Sequence, residues 1–293
     1  MKLCLLISLA CFVSFFQAAV GSQGARVSGG GISAHREQVA SANLPEPKVV
    51  TFPGPENITL HGFLYIPEGK GPFPAMIWNH GSEPRPGWQP ELGQFYASKG
   101  FVFFIPHRHG QGRSADAGPF HRDLQKKCKS QDCVIGLHDL YNKDVVAAVS
   151  WLKQQAFVDK DKIVMSGVSF GGIQTLLTAE RGFGIRAFVA FAPAAMSWNS
   201  FPDLRARLLR AEREAREPIF LIQAQGDYNT EPYELLGAYL IRKGGLNRAR
   251  LYARFGNSNQ DAHAVFATKA AGIAVWQTDV LSFIDAVLKQ ARR

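Results

Sequence analysis

Short apolar segments alternate with amphipathic segments along the chain from residue 48 onward. The apolar segments are bounded by Gly, Pro and Asn, which is typical of strands, and they occupy residues 48–52, 58–66, 75–78, 101–105, 163–165, 187–191, 219–224 and 250–255. Apolar residues at helical spacing mark helices at residues 89–99, 139–155, 173–180, 202–217, 232–243 and 272–290. This alternation predicts an α/β fold with a mainly parallel, doubly wound sheet that helices cover on both faces.

Two segments modify this simple alternation. Residues 106–133 are rich in His, Arg, Gly and Asp without a period, and they are predicted to form a loop. The helix predicted at residues 202–217 is strongly charged, which indicates either a solvated face or a small lid. Because neither an internal repeat nor a second domain is visible in the sequence, residues 48–293 are predicted to form a single domain.

The N-terminus has the pattern of a secretory signal peptide. Lys2 supplies a basic start, residues 3–16 are apolar apart from two serines, and small residues precede a cleavage point after Gly21. The apolar run is too short for a membrane-spanning helix, although lipid attachment at Cys11 remains an alternative. Residues 22–47, which lack any period, are predicted to be a flexible arm. We therefore expect a secreted or periplasmic protein whose mature chain has no membrane span.

Export leaves two cysteines, Cys128 and Cys133, which are predicted to form a disulfide in an oxidising compartment. His121 and His138 flank them, but the spacing matches no zinc pattern, so neither a metal nor another cofactor is expected. The formal net charge is +9, yet no run of Lys or Arg is longer than two residues. A solvated basic surface is therefore expected rather than a nucleic-acid interface.

The chemistry of the chain is expected to centre on Ser169. The sequence Gly167-Val168-Ser169-Phe170-Gly171 lies between a predicted strand and a predicted helix. Strand, Gly-x-Ser-x-Gly and helix together predict a nucleophile elbow, in which a sharp turn lifts a serine above the edge of a sheet. The glycines are needed because a Cβ atom at either position would collide with the neighbouring element.

A serine nucleophile needs a base and an acid, and both are expected in loops that follow strands. Asp227 follows the strand at 219–224, and His263 follows the strand at 250–255. The order Ser169, Asp227, His263 is the order in which this kind of triad occurs along the chain. Glu231 competes with Asp227 for the role of the acid.

Other residues of the predicted site come from the first two loops. The backbone N–H groups of Phe170, directly after the nucleophile, and Ser82, after the strand at 75–78, are predicted to form an oxyanion hole. Glu83, Arg85 and Trp88 follow Ser82 and are expected to face the substrate. The Gly-bearing loop at 108–114 is interpreted as a structural turn, with a phosphate cradle as the weaker alternative.

Five short segments in this order resemble the dienelactone-hydrolase-like branch of the α/β-hydrolases, in a secreted bacterial form. They are WNHGSEP (78–84), FIPHRHGQGRS (104–114), GVSFGG (167–172), QAQGDYNTEP (223–232) and DAH (261–263). The resemblance implies the α/β-hydrolase fold, with Ser169, Asp227 and His263 as nucleophile, acid and base. Two differences limit it: dienelactone hydrolase itself uses a cysteine nucleophile, and Ala262 stands where the family often has Gly.

We therefore expect an exported serine hydrolase that cleaves small carboxylic esters, with lactones as a further class, through an acyl-enzyme. One alternative is a peptidase of the prolyl-oligopeptidase type without its gating domain. Another is a binding protein without catalytic activity on the same scaffold.

Overall fold

A computed structural model of the protein describes residues 46–290, which are built around one eight-stranded sheet. The predicted signal peptide (residues 1–21), Cys11 and nearly all of the predicted arm (residues 22–47) lie outside the described residues. The strands are β1 (Lys48–Pro53), β2 (Thr59–Tyr65), β3 (Phe73–Asn79), β4 (Val102–His107), β5 (Val158–Val168), β6 (Ala187–Phe191), β7 (Ile219–Ala224) and β8 (Arg248–Tyr252).

The sheet has the strand order β1-β2-β4-β3-β5-β6-β7-β8. The β1–β2 and β2–β4 pairs are antiparallel, and every later pair is parallel. Every residue of β6 and β7 is buried, as expected for central parallel strands with both faces covered. The prediction of a mainly parallel sheet is confirmed. Its parallel strands direct their carboxyl ends toward one edge, where the loops after β3, β5, β7 and β8 meet.

Helices cover both faces of the sheet. Buried apolar residues of α3, α4 and α5 form one core layer, and those of α1 and α8 form the other. The helices are α1 (Pro90–Ser98), α2 (His121–Gln125), α3 (Gln131–Lys153), α4 (Phe170–Arg181), α5 (Pro202–Glu214), α6 (Ala238–Lys243), α7 (Phe266–Thr268) and α8 (Ala270–Leu288). Short 3-10 turns occur at Pro55–Asn57 and Gly112–Ala117, and π-helical turns at Tyr233–Gly237 and Asp261–Val265.

The loop predicted for residues 106–133 is partly helical, so this part of the prediction was wrong. It contains α2, and α3 begins at Gln131 rather than at 139. The hydroxyl of Ser130 accepts a hydrogen bond from the backbone N–H of Cys133 at 3.2 Å and caps α3. His138 lies on the buried face of the first turns of α3. Because this buried position holds a polar residue, the sequence there lacks the apolar spacing that would have predicted a helix.

The charged helix α5 packs with its apolar side against α3 and α4. Leu204 and Leu208 are buried, and buried Arg207 forms an ion pair with Glu180 of α4 at 2.6 Å. The segment predicted as a small lid is therefore part of the helical layer on this face of the sheet. Only Phe201, at its N-terminal cap, reaches a cavity beside Ser169.

Within the described residues, one helix, α8, is long and apolar enough to cross a membrane, with a mean hydropathy of 1.3. Its apolar side packs on the sheet. The ring of Trp276 lies 5.1 Å from that of Phe191, and the ring of Phe283 lies 5.5 Å from that of Phe220. These contacts explain why α8 is apolar: it is a core helix that packs on the sheet.

Candidate active site

Ser169 lies at the sharp turn between β5 and α4 and has the unusual backbone angles φ 58° and ψ −118°. The turn is possible because neighbouring residues lack side chains. A Cβ atom at Gly171 would lie 1.9 Å from the carbonyl oxygen of Asn79, and one at Gly167 would lie 2.5 Å from the Gly171 carbonyl oxygen. The backbone N–H of Ser169 donates to the carbonyl of Phe191 at 3.0 Å and fixes the turn to the next strand. The strained, half-buried serine has the geometry predicted for an elbow.

The structure brings Asp227 and His263 together. The Nδ1 atom of His263 lies 2.8 Å from Oδ1 of Asp227, and both side chains are buried. The carboxylate also accepts hydrogen bonds from the backbone N–H of Tyr228 at 2.6 Å and from Nε2 of Gln223 at 2.9 Å. Glu231, the competing acid, is exposed and takes no part in this pair. The structure therefore favours Asp227 as the partner of the histidine.

The other ring nitrogen of His263 is available for chemistry. Within residues 46–290, Nε2 of His263 is buried and makes no hydrogen bond. His263 lies in the π-helical turn Asp261–Val265, an irregularity that often occurs at functional sites. With Nδ1–H donating to Asp227, Nε2 is the nitrogen that can accept a proton, and His263 and Ser169 line the same cavity.

The predicted oxyanion hole consists of backbone groups next to Ser169. Phe170 is the first residue of α4, where N–H groups have no partner within the helix. The loop after β3 approaches from the other side, since a Cβ atom on Gly81 would lie 3.8 Å from Cβ of Ser169. Ser82 follows directly and lines the cavities on both sides of Ser169.

Two buried residues that the sequence did not single out, Arg108 and Gln111, hold this loop in place. The Nη2 atom of Arg108 donates to the carbonyl oxygens of His80 at 2.9 Å and Gly81 at 2.6 Å. Gln111 accepts from Nε of Arg108 at 3.1 Å and donates to the carbonyl of Glu83 at 2.7 Å. Burial lowers the pKa of Arg108 to about 10, so its guanidinium stays charged at neutral pH. We call these hydrogen bonds of Arg108 and Gln111 to the loop after β3 the clamp. Its only sequence signal was that both residues belong to the segment FIPHRHGQGRS.

Two cavities meet at Ser169. A cavity of about 310 Å³ on the His263 side includes Glu83, Gln260 and Thr268 in its wall. A smaller cavity of about 140 Å³ lies on the other side. Its walls are formed by α2, α3, α4 and the segment after β6, and they include Phe170, Ile173, Ala194, Phe201, His121 and His138.

The three residues predicted to face the substrate are separated in the structure. Glu83 lies in the wall of the His263-side cavity. Arg85 and Trp88 line a neighbouring cavity of about 460 Å³, whose residues do not include Ser169.

Three buried histidines around Ser169, namely His80, His121 and His138, have a lowered pKa and are uncharged at neutral pH. Burial, with a smaller contribution from the charge of Arg108, lowers the pKa of His121 to about 3 and that of His138 to about 4. The same two causes hold the pKa of His80 well below its usual range. Nδ1 of His80 lies 2.8 Å from Nη2 of Arg108 and 3.0 Å from the carbonyl oxygen of Gly81, and the tautomer of the ring sets which of the two it bonds.

The predicted disulfide is confirmed. Cys128 and Cys133 are joined with an S–S distance of 2.02 Å, and the bridge links the segment after α2 to the first turn of α3. Among the described residues, no three side chains of His, Cys, Asp or Glu cluster as metal ligands would.

The sequence is similar to an enzyme family and to two fungal proteins. Residues 91–204, less than half of the chain, match the model of the prolyl oligopeptidase family, Peptidase_S9. The polyketide transferase grgF of Penicillium sp is 27% identical over 191 residues, 62% of this chain and 59% of the relative. A polyketide transferase of Gibberella fujikuroi is 27% identical over 156 residues, 53% of this chain and 44% of the relative. The chain thus spans about half of the length of the curated relatives that it matches.

Solved structures show the same fold at low sequence identity. An acylaminoacyl peptidase of Pyrococcus horikoshii superposes with a TM-score of 0.65 at 14% identity, covering 86% of this chain and 43% of the peptidase. The α/β hydrolase GrgF from Penicillium sp. sh18 superposes with a TM-score of 0.61 at 16% identity, covering 83% of this chain and 99% of GrgF. The esterase PF2001 of Pyrococcus furiosus superposes with a TM-score of 0.57 at 19% identity, covering 83% of this chain and 91% of the esterase. The chain therefore has the predicted α/β-hydrolase fold, whereas the narrower dienelactone-hydrolase-like resemblance stays a prediction.

Proposed function

We propose that this protein is a serine hydrolase that cleaves carboxylic esters, with lactones as a further class, through an acyl-enzyme. The observation that carries the proposal is the buried His263–Asp227 pair, with Nδ1 and Oδ1 2.8 Å apart. It leaves Nε2 of His263 unpartnered among the described residues, and His263 lines the same cavity as the strained Ser169. A serine, a base and an orienting acid in this order are what acyl transfer requires.

In the proposed reaction, Oγ of Ser169 attacks the ester carbon while Nε2 of His263 takes the hydroxyl proton. The carbonyl electron pair moves onto oxygen, and the N–H groups of Ser82 and Phe170 stabilise the resulting oxyanion. The oxyanion collapses, the ester C–O bond breaks, and His263 returns its proton to the leaving alcohol. Water then attacks the acyl-enzyme while His263 takes a proton from that water. The bond between the acyl carbon and Oγ of Ser169 breaks, and His263 returns its proton to Oγ as the acid leaves. Asp227 stabilises the imidazolium form of His263 in both halves.

Two alternative reactions would form the same kind of acyl-enzyme from Ser169. Residues 91–204 match a peptidase family, which favours peptide amides as an alternative substrate class. The curated relatives are named polyketide transferases, which favours an acyl acceptor other than water. In both alternatives Ser169, His263 and Asp227 keep their proposed roles, and only the leaving group or the acceptor changes.

The test compares wild-type protein with Ser169→Ala on a panel of esters, lactones and peptide amides, with and without added alcohols and amines. We expect ester turnover by the wild type, a loss of several orders of magnitude in Ser169→Ala, and fluorophosphonate labelling of the wild type alone. Turnover confined to amides would identify a peptidase, and product esters formed with added alcohols would identify a transferase. A folded wild type without labelling or turnover would contradict the proposal and favour a binding protein.

We also propose that the protein is exported with cleavage after Gly21. The disulfide supports this proposal, because such bonds persist in oxidising compartments. The intact mass of the extracellular or periplasmic protein tests it, since cleavage after Gly21 gives a chain that starts at Ser22. A full-length chain in the cytoplasm with two free thiols would contradict it.

A further inference from the structure

The smaller cavity beside Ser169 contains two histidines that the proposed mechanism does not use. His121 of α2 and His138 of α3 both line it, and they are 3% and 7% exposed. In each ring Nδ1 is buried without a hydrogen-bond partner in the described part of the chain. The other buried histidines near the site each have one ring nitrogen with a partner: His80, His107, His109 and His263 bond to Arg108, the Arg113 N–H, Asp144 and Asp227. Among the described residues, Nε2 of His80, His107 and His263 is also buried without a partner. Two buried imidazoles that the protein does not use itself require an explanation.

The two cavities must hold different parts of an ester. The leaving alcohol has to take its proton from Nε2 of His263, so it belongs in the larger cavity that His263 lines. The acyl group then extends away from His263, past the N–H of Phe170, into the cavity of about 140 Å³. A protein cavity of about 150 Å³ accommodates benzene, so this one holds about six non-hydrogen atoms.

The walls of the acyl-side cavity combine apolar contact with hydrogen-bonding groups, and the charged, exposed Arg122 also lines the cavity. Ile173, Ala194 and Phe201 supply apolar surface, and the Phe170 ring lies 4.5 Å from that of His121 and 4.8 Å from that of His138. Burial lowers the pKa of both histidines far below neutrality. A neutral imidazole offers one donor and one acceptor, as a hydroxyl or carbonyl partner requires.

We propose that His121 and His138 recognise the acyl group, and that the preferred substrates are esters of short acids carrying a neutral hydroxyl or carbonyl group. The proposal rests on the ester hydrolysis proposed above. The disulfide between Cys128 and Cys133 joins the segments that carry the two histidines and so helps to hold both walls together.

The test holds the alcohol constant and changes one atom of the acid. The 4-nitrophenyl esters of 3-hydroxybutanoic acid and 3-methylbutanoic acid differ by a hydroxyl in place of a methyl group. We expect kcat/KM to be at least about tenfold higher for the hydroxy ester, because a site built to hydrogen-bond a hydroxyl rejects the analogue that lacks it. The octanoyl ester, whose chain exceeds the cavity, should fall at least about tenfold below the pentanoyl ester.

Variants of the two histidines show which residues cause the preference for the hydroxy ester. His121→Leu and His138→Leu should each lower the hydroxy-to-methyl ratio to about one or below, while hydrolysis of the 3-methylbutanoyl ester continues. His138→Asn, which keeps a donor and an acceptor, should retain part of the ratio. The matched control is His61→Leu, because His61 also has an unpartnered Nδ1 but does not line this cavity. Circular dichroism checks the folding of each variant.

The outcomes distinguish this proposal from the proposal of ester hydrolysis, which we call the parent proposal. Equal hydrolysis of the two esters by the wild type would overturn the acyl assignment and leave ester hydrolysis standing. An unchanged ratio in both folded Leu variants would also overturn it, and so would a preference for the hemisuccinate ester over both neutral esters. If a Leu variant does not fold, the wild-type ratio and the other variant decide. Absence of turnover on any ester would refute the parent proposal, and this one with it.

Discussion

Replacement of Asp227 by Asn tests the assignment of the acid most directly. The carboxylate is fully buried and lies 2.8 Å from Nδ1 of His263. When His263 takes the serine proton, its positive charge and the carboxylate are centred about 4 Å apart. At an effective dielectric constant of about 20, that attraction is about 4 kcal/mol. Removing the charge and keeping the shape should therefore raise the barrier by up to about 4 kcal/mol, which is up to about 10³-fold in rate.

The surroundings of Asp227 add to this loss. Its carboxylate accepts from the Tyr228 N–H and from Gln223, so an amide places an N–H where an acceptor is required. We expect Asp227→Asn to lower kcat by at least about a hundredfold on an ester that the wild type hydrolyses. Glu231→Gln is the matched control, because this exposed carboxylate lies four residues further along the chain, outside the pair. Its kcat should stay within about threefold of wild type.

The assay is kcat for the wild type and both variants on one ester, with circular dichroism to confirm folding. Loss of activity confined to Glu231→Gln would show that the acid is misassigned and that Asp227 is a structural turn residue. An Asp227→Asn variant within about threefold of wild type would show that the buried carboxylate does not stabilise the imidazolium.

Other changes probe the parts that position the site. Arg108→Met should lower kcat by about a hundredfold with little change in KM, because it frees the loop that carries the oxyanion donor Ser82, and loss of one such donor has this effect. An increase in KM alone would contradict the role of Arg108 in holding that loop. Gly171→Ala should lower both activity and Tm, because its Cβ would lie 1.9 Å from the Asn79 carbonyl oxygen; a wild-type Tm would argue against the elbow geometry. Replacing Cys128 and Cys133 by Ser should lower the free energy of unfolding by roughly 2 kcal/mol or less, as measured by urea denaturation; a larger loss would require a role beyond closing a short loop.

The local sequence was sufficient to predict most of the elements and the elbow, but not α2 or the start of α3. The strand predicted at residues 187–191 has the same bounds as β6, because five consecutive buried apolar residues leave little choice of conformation. The turn at Ser169 was readable because it needs glycines at fixed positions, and the structure gives the close contacts that require them. The pairing of cysteines was readable because Cys128 and Cys133 are the only two that follow the predicted signal peptide, and they lie five positions apart.

The choice between Asp227 and Glu231 needed the tertiary structure. Both follow β7, and both carry the same charge, so the sequence could only rank them. Asp227 and His263 are 36 residues apart and meet because β7 and β8 are neighbours in the sheet. Such a contact depends on strand order, which no local pattern encodes.

The direction of loop side chains was also decided by long-range contacts. Arg108 belongs to a polar segment that indicates a surface turn, yet its side chain is buried and binds the loop after β3. Arg85 lies two residues after Glu83, but it lines a different cavity. Outside helices and strands no period relates a residue to the face it occupies. Composition and spacing therefore indicate where most loops lie, and only the packed fold determines what their side chains contact.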